Sequence, residues 1–469
     1  MNDLLKGILA AVGPKGLLMG EELSARASSS TDATPHKAIA LVRPKNTQEL
    51  SAVMALCNAQ SQPVAVQGGL TGLVDGATAN DDELAISLER MKGVESIDAH
   101  SKTATVAAGT PIQTLQDKAA QVGLLFAVDW GARGSAMVGG GISTNAGGNS
   151  VLRYGMMRDQ VLGLEVVLAD GTILSSMNRL LKNNTGYDLK QLFIGSEGTL
   201  GIVTRAVLKL HTAPKDAQTA LLAVDNFDQL IKLLSVVDSG LSGSLSAFEV
   251  MWQDHYELVV NEGGHAWVLP QGLPYYVIIE STGSSPQADM ARFEEVLGQA
   301  MEQVNVLDAV LCTSSAQREA VWAIREDVDA FLRALDPAIN FDISMPIGDM
   351  GDYVKNVRAD IAKQLPNARG TAFGHVGDGN LHMCWTVGSD DSKLKSQLSN
   401  IVYRNLQGLH GSVSAEHGIG RAKRKYLQLS RTNEELCWMK NLKQLFDPKN
   451  ILNPGRVVMV DEEIDQSRQ

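Results

Sequence analysis

Met137-Val138-Gly139-Gly140-Gly141-Ile142-Ser143-Thr144-Asn145-Ala146-Gly147-Gly148-Asn149 is the stretch whose reading decides the fold. It holds the most glycines of three clusters; the others lie at residues 68–72 and 195–201. Glycine has no Cβ, so its N–H approaches a phosphate closely and positive φ carries no steric penalty. Successive N–H groups then line an anion-binding concavity. Each cluster alone reads equally well as a tight turn. Three of them in the first half of one chain favour a single large phosphate-bearing cofactor. The sequence has 44 glycines in 469 residues, above the usual share of about 7%. No G-x-G-x-x-G follows a strand pattern, which argues against a Rossmann nicotinamide site, and no G-x-x-x-x-G-K-[ST] is present for a P-loop.

Around these clusters the first half alternates short strands with helical patterns. Residues 64–66 and 104–108 read as strands. After the second, Ile112, Leu115, Ala119 and Val122 recur at helical spacing, with Thr110 as N-cap, Pro111 at the first helical position and Gly123 past the end. Residues 162–168 and 172–174 flank Asp170-Gly171 as a hairpin, and residues 202–210 alternate up to Pro214. From there the pattern changes to helices at 227–237, 289–304 and 317–335, with a strand at 275–279. An amphipathic helix at 434–446 stops at Asp447-Pro448 and leads into Ile451-Leu452-Asn453-Pro454-Gly455. Domain boundaries are drawn at 1–215, 216–420 and 421–469.

The net charge of −12 and pI of about 5.3 make nucleic acid or an anionic membrane surface poor partners. Four cysteines without a CxxC pair argue against a disulfide framework, an iron–sulfur cluster or a Cys-rich zinc knuckle. They suit a reducing compartment. Residues 1–20 lack the order of a signal peptide, and no run of 18 apolar residues appears. The expectation is a cytoplasmic protein with no membrane span. Asp461-Glu462-Glu463 reads as a solvated tail.

Four of the nine histidines fall between His375 and His417. The segments are Gly374-His375-Val376-Gly377-Asp378-Gly379-Asn380-Leu381-His382 and Ser414-Ala415-Glu416-His417-Gly418-Ile419-Gly420. Two imidazoles and a carboxylate suit a borderline divalent cation with open positions. The bland alternative is a pair of core histidines beside a glycine turn. Neighbouring residues on a regular strand face opposite ways, so Glu416 and His417 serve one site only if the backbone there is irregular.

Taken in order, Gln67-Gly68-Gly69-Leu70-Thr71-Gly72, the segment 137–149, and Gly195-Ser196-Glu197-Gly198-Thr199-Leu200-Gly201-Ile202-Val203-Thr204 resemble the FAD domain of the vanillyl-alcohol oxidase flavoprotein family. Asn184-Thr185-Gly186-Tyr187-Asp188-Leu189-Lys190-Gln191-Leu192 is similar to its D-2-hydroxyacid dehydrogenase branch, D-2-hydroxyglutarate dehydrogenases above all. The resemblance runs from about Val42 to Pro454. It implies an α+β protein: a two-lobed FAD-binding domain, an α+β substrate cap, and a C-terminal helical segment returning to the FAD domain.

By the same resemblance Gln67, Gly68, Gly69, Leu70, Thr71 and Gly72 form the pyrophosphate loop. Ser135, Gly139, Gly140, Gly141, Ser143, Thr144, Asn145, Gly147 and Gly148 line pyrophosphate and isoalloxazine, and Glu197, Gly198, Gly201, Ile202 and Asn453 also contact the flavin. No histidine lies between His36 and His100, so the flavin is expected to be non-covalent. His375, His382 and Glu416 match ligands of a divalent metal, usually zinc, and His417 matches the catalytic base. Arg325 matches an arginine that pairs with substrate; read alone it is a helix arginine paired with Asp329 at i+4.

The implied reaction is oxidation of a D-2-hydroxyacid to the 2-oxoacid, with hydride from C2 to flavin N5. Electrons then leave to an external acceptor, an electron-transfer flavoprotein or a quinone. Homodimerisation is left open. The pattern departs at Asn340, Asp329 and Cys384, three positions that in the glutarate branch help hold the distal carboxylate. These departures leave room for D-lactate or another small or apolar D-2-hydroxyacid. A metal-free flavin alcohol oxidase of the same fold is a further alternative.

Overall fold

β-branched and small apolar residues at 41–42, 64–67 and 84–87 form parallel strands whose side chains are almost all buried, the pattern of a sheet covered on both faces. The computed structural model describes residues 2–29 and 34–460; the acidic residues 461–463 lie outside them. The chain divides into two units. The first comprises residues 1–148, 155–213 and 416–469; the second comprises 149–154 and 214–415.

In the first unit the four-stranded sheet runs in the order Leu17–Leu18, Leu41–Val42, Leu84–Ser87, Val64–Gln67. The helix Thr47–Ala59 is capped by Asn46, whose Oδ1 accepts the Glu49 N–H at 2.8 Å. A second, antiparallel sheet orders Val94–Asp98, Thr103–Ala107, Ile202–Lys209, Val161–Val167 and Ile173–Ser176. The expected hairpin is present, with Val167 opposite Ile173. One apolar core, including Leu50, Val64, Val106, Ile142, Val166 and Leu452, joins these elements.

The helix after the second strand is Ile112–Ala120, with Pro111 at its N-cap and no side-chain cap. Thr110 Oγ1 instead accepts the Gly93 N–H at 2.8 Å. Its hydroxyl ties down a neighbouring turn, the competition that short polar side chains always offer.

The C-terminal helix Asn433–Phe446 starts with a Thr432/Glu435 capping box. Beyond it the chain returns as expected. Val64 N–H donates to Ile451 O at 2.8 Å and Asn453 N–H to Val64 O at 2.9 Å. The buried Lys443 holds that return, donating to Thr199 O at 3.0 Å, Leu452 O at 2.7 Å and Asp447 Oδ2 at 2.5 Å.

The second unit is built on a seven-stranded antiparallel sheet. Its order is Val306–Leu311, Asp216–Val224, Tyr275–Gly283, Leu245–Trp252, Arg369–Gly374, Asn380–Thr386, Ile339–Ser344. Helices Phe227–Leu241 and Pro286–Gln303 match expectation closely. The single helix expected at 317–335 is two, Ser315–Glu326 and Val328–Ala334, because Asp327 turns to cap Ala330 N–H at 3.0 Å. Among the described residues all four cysteines are free, and no helix is long and apolar enough to cross a membrane.

Candidate active site

In the first unit the glycine loops meet backbone to backbone. A Cβ on Gly69 would lie 2.0 Å from Ser135 O, and one on Gly68 would lie 3.6 Å from the Gly140 Cα. Only glycine at 69 permits that approach. Four non-glycine residues of these loops have left-handed backbone: Leu70 (φ 59), Asn145 (φ 51), Glu197 (φ 52) and Asn453 (φ 44). Such conformations persist where surrounding structure enforces them, and they gather at ligand clamps. A wall of main-chain groups with little side-chain bulk fits the pyrophosphate of FAD.

The side chains around that wall hold the loops. Asn453 Oδ1 accepts Val66 N–H at 2.7 Å, and its Nδ2 donates to Glu197 O at 2.6 Å. Gln67 Nε2 donates to Ala77 O at 3.0 Å beside His36. Thr144 Oγ1 donates to Gly140 O at 3.1 Å, and Ser143 O accepts Glu197 N–H at 2.8 Å. Gly147 and Gly148 are buried, while Ser135 and Gly72 are exposed and Thr71, Gly140 and Ser143 are half-buried. Gly139 packs on Ala108, Gly141 on Met157 and Trp130, Gly198 beside Asn453, and Gly201 on Val166 and Phe193; Ile202 is in the core.

Glu197 receives Ile419 N–H at 2.7 Å and Gly420 N–H at 2.8 Å. Burial pushes its carboxyl above the usual range, against the pull of those amides and of Lys423. The stretch just before it, residues 414–419, belongs to no helix or strand, with Gly418 at φ 86 and Gly420 at φ 50. The backbone at Glu416 and His417 is therefore irregular, and His417 Nε2 lies 3.9 Å from Glu416 Oε1.

In the second unit the chemistry is carried by side chains. His375 follows the strand Arg369–Gly374 and His382 lies on the next, with ring centroids 5.4 Å apart. Asp342 sits opposite His382 across the strand pair, and their ligand atoms lie within 4.8 Å of one another. Asn380 Nδ2 donates to one Asp342 oxygen at 3.0 Å and Ser414 Oγ to the other at 3.1 Å. An imidazole with a carboxylate in reach is a donor pair that suits a borderline divalent cation, and His375, whose ring lies beside His382, is not among the ligand atoms gathered within 4.8 Å.

Glu249 joins this cluster from the strand Leu245–Trp252. Its Oε1 lies 2.7 Å from His375 Nδ1, and its Oε2 accepts Arg325 Nε–H at 3.0 Å. Burial alone would raise the Glu249 carboxyl, but the charges and hydrogen bonds of His375 and Arg325 hold it below its usual range. Arg325 Nη2 lies 2.8 Å from the same oxygen as an ion pair, without an aligned hydrogen-bond partner. The guanidinium lies 4.8 Å above the Phe373 ring. The i+4 pairing with Asp329 does not form: Asp329 is exposed on the following helix, while Arg325 is buried.

Asn340 and Cys384 face each other across a strand pair. Asn340 is exposed; Cys384 is 1% exposed in an apolar cluster with Phe331 and Phe373, and burial pushes its thiol up to about 12. Glu249 and Asp342 were given no role in the sequence reading. The signal for Glu249 was present: it is the only charged residue in Leu245–Trp252, a strand otherwise of apolar residues and one serine.

The chain matches the family described as FAD binding domain over residues 38–176 and the family described as FAD linked oxidases, C-terminal domain, over residues 213–457. It is 38% identical to the mitochondrial D-2-hydroxyglutarate dehydrogenase of Danio rerio, over 89% of this chain and 78% of that protein. It is 39% identical to D-2-hydroxyglutarate dehydrogenase of Xanthomonas citri pv. viticola, over 89% of both. A putative mitochondrial D-lactate dehydrogenase of Schizosaccharomyces pombe is 34% identical, over 89% of this chain and 81% of that protein. Among solved structures, p-cresol methylhydroxylase with substrate bound superposes with a TM-score of 0.77 at 14% identity, over 99% of this chain and 98% of that one. A 4-ethylphenol oxidase from Gulosibacter chungangensis gives 0.74 at 16%, over 97% of both. These two show the α+β fold of vanillyl-alcohol-oxidase-type flavoproteins.

The names of the relatives overturn one expectation. Those of Danio rerio, Bos taurus and Oryza sativa are mitochondrial, so the cytoplasmic location inferred from the first 20 residues does not stand. Neither four scattered cysteines nor the order of residues 1–20 distinguishes the two compartments. With two FAD-oxidase domain matches and relatives near 38% identity over most of its length, the chain belongs to the FAD-dependent oxidoreductases of the D-2-hydroxyglutarate dehydrogenase family.

Proposed function

We propose that this protein oxidises a D-2-hydroxyacid to its 2-oxoacid with the help of a divalent cation, D-2-hydroxyglutarate being the leading substrate. The names of the relatives support the substrate. The observation that carries the reading is the cluster in the second unit, where two imidazoles lie 5.4 Å apart and the buried guanidinium of Arg325, on the helix Ser315–Glu326, pairs with Glu249. A 2-hydroxyacid presents a hydroxyl and a carboxylate on adjacent carbons, and this cluster supplies groups for both.

His375, His382 and Glu416 are assigned to the cation, with zinc the first metal to test. A cation there would supply a lowered pKa at the α-hydroxyl, and FAD, held without a covalent bond, would supply the acceptor for the C2 hydrogen and its electron pair. His417 takes the hydroxyl proton as a neutral base near pH 7. Arg325 holds the carboxylate, its Nη2 donor lacking an aligned partner in the protein. The glycine loops at 67–72 and 135–148, with residues 197–202 and Asn453, hold the cofactor. The flavin belongs to residues 1–215, the substrate to 216–420, and the C-terminal segment 421–469 completes the flavin domain. Two electrons and two protons leave the substrate, and the electrons pass to an external acceptor, an electron-transfer flavoprotein or a quinone.

A second reading, D-lactate or another small apolar hydroxyacid, is favoured by Cys384, whose side chain lies among Phe331 and Phe373. The test is anaerobic bleaching of the flavin band by a panel of D- and L-2-hydroxyacids. D-2-Hydroxyglutarate should bleach faster than D-lactate and L-enantiomers not at all. The reverse order of the two D-acids establishes the second reading. Bleaching that survives complete removal of metal returns the metal-free oxidase.

A further inference from the structure

We infer that Glu249 is a positioning residue that orients the histidine and the arginine of the active site together, fixing His375 as an Nε2 ligand and Arg325 as a carboxylate clamp. The inference rests on the metal reading of His375 and on the substrate reading of Arg325. It concerns a residue that neither composition nor motif had singled out.

The side chain of Glu249 is 2% exposed. Such a charge brings little net stability, because desolvation offsets most of the attraction to its partners. What it brings here is orientation. An ionised carboxylate only accepts hydrogen bonds, so both of its partners must donate. His375 therefore carries its proton on Nδ1, 2.7 Å from Oε1, and in the neutral ring the lone pair lies on Nε2. Arg325 donates through Nε to the other oxygen at 3.0 Å, with Nη2 2.8 Å from that same oxygen as an ion pair, which fixes the plane of the guanidinium. Because the two partners use different oxygens of one planar group, a single side-chain torsion sets both. A carboxylate behind a metal-bound imidazole is a recurrent arrangement, and its loss typically costs about 10–100-fold in metal affinity.

Glutamine at 249 keeps the volume but offers one acceptor to two donors, and its amide N–H groups face a cation or push the His375 proton to Nε2. In the flavin-loaded, metal-stripped protein, Glu249→Gln should bind Zn(II) about 10–100-fold more weakly in competition with a chromophoric chelator. It should also raise KM for the hydroxyacid while flavin content stays unchanged, and Glu249→Asp should recover part of the metal affinity. The control is Glu280→Gln in the same sheet, where Glu280 accepts from Thr219 at 2.9 Å and Trp322 at 2.8 Å. It should lose thermal stability but not metal affinity.

Unchanged Zn(II) affinity in folded Glu249→Gln, or an equal loss in Glu280→Gln, overturns the inference. Should Glu249→Gln not fold, 15N-histidine NMR of the unsubstituted metal-stripped protein decides instead: Nδ1–H on His375 supports the inference and Nε2–H overturns it. An unsubstituted protein that takes up no stoichiometric metal yet still reduces its flavin with substrate removes the metal centre and this inference together. Metal uptake that is indifferent to Glu249 removes only this inference.

Discussion

The two units make their sites from different materials. The first offers main chain: glycines at 68, 69, 139 and 140 bring backbones into contact, and Asn453 and Glu197 hold the loops through amides and carbonyls. The second offers side chains: Glu249, Asp342 and His382 from three strands of one sheet, His375 from the turn after a fourth, and Arg325 from a helix. A backbone site is written in local sequence, because Gly69 and Gly139 stand where a Cβ would collide with a neighbouring segment. A side-chain site is written in strand order, which no short window of sequence contains.

The largest expected effect falls on His417, a side chain that the first unit supplies. His417→Ala should lower the rate of flavin reduction by about 10²–10⁴-fold, the usual contribution of a general base, while flavin content is kept. A stopped-flow trace at the unsubstituted rate would take His417 out of the reaction.

Next comes the return of the C-terminus to the first unit. Lys443→Met leaves Asp447 buried and unpaired, and breaking such a pair costs about 3–5 kcal/mol. Chemical denaturation should show that loss, together with weaker flavin retention, because Lys443 also ties Thr199 O to Leu452 O.

A smaller effect probes the glycine wall. Gly69→Ala places a methyl against Ser135 O, and such overpacking costs about 1–3 kcal/mol. Gel filtration should then yield protein depleted in flavin but still able to bind Zn(II) as the unsubstituted protein does. Equal loss of both ligands would dissolve the contrast between the two materials.

The smallest effect belongs to the side-chain unit. His255 is fully buried and stacked on Phe373 at 4.1 Å, with Nδ1 3.1 Å from Thr371 Oγ1. Burial, and then the charge of Arg325, hold its pKa well below the ordinary value. The unfolded chain therefore takes up a proton below pH of about 6.5 that the folded chain refuses. Stability should fall as pH drops through that value, by at most about 1.4 kcal/mol per pH unit for this one group. Denaturation of His255→Gln across pH 5–7 should show a shallower slope.

Much of the architecture was legible in sequence. Strand and helix positions fell close to expectation, and the hairpin at Asp170-Gly171 appeared where turn chemistry put it. The misses have local causes. Asp327 and Thr110 were read within helical patterns, yet Asp327 started a new helix and Thr110 bonded a turn 17 residues away. Arg325 was given a neighbour at i+4 that helix periodicity supplies, and it turned to a strand residue 76 positions earlier.

Sequence by itself determined where the main chain had to pass close to other main chain, because only glycine lacks the atom that would prevent it. It also determined which imidazoles and carboxylates were available for chemistry. Tertiary structure alone decided that a lone acid in an apolar strand would face both an arginine and a histidine. Pairing in a sheet brings together residues at separations that depend on strand order, and that order is set by burial of the whole core rather than by any one segment.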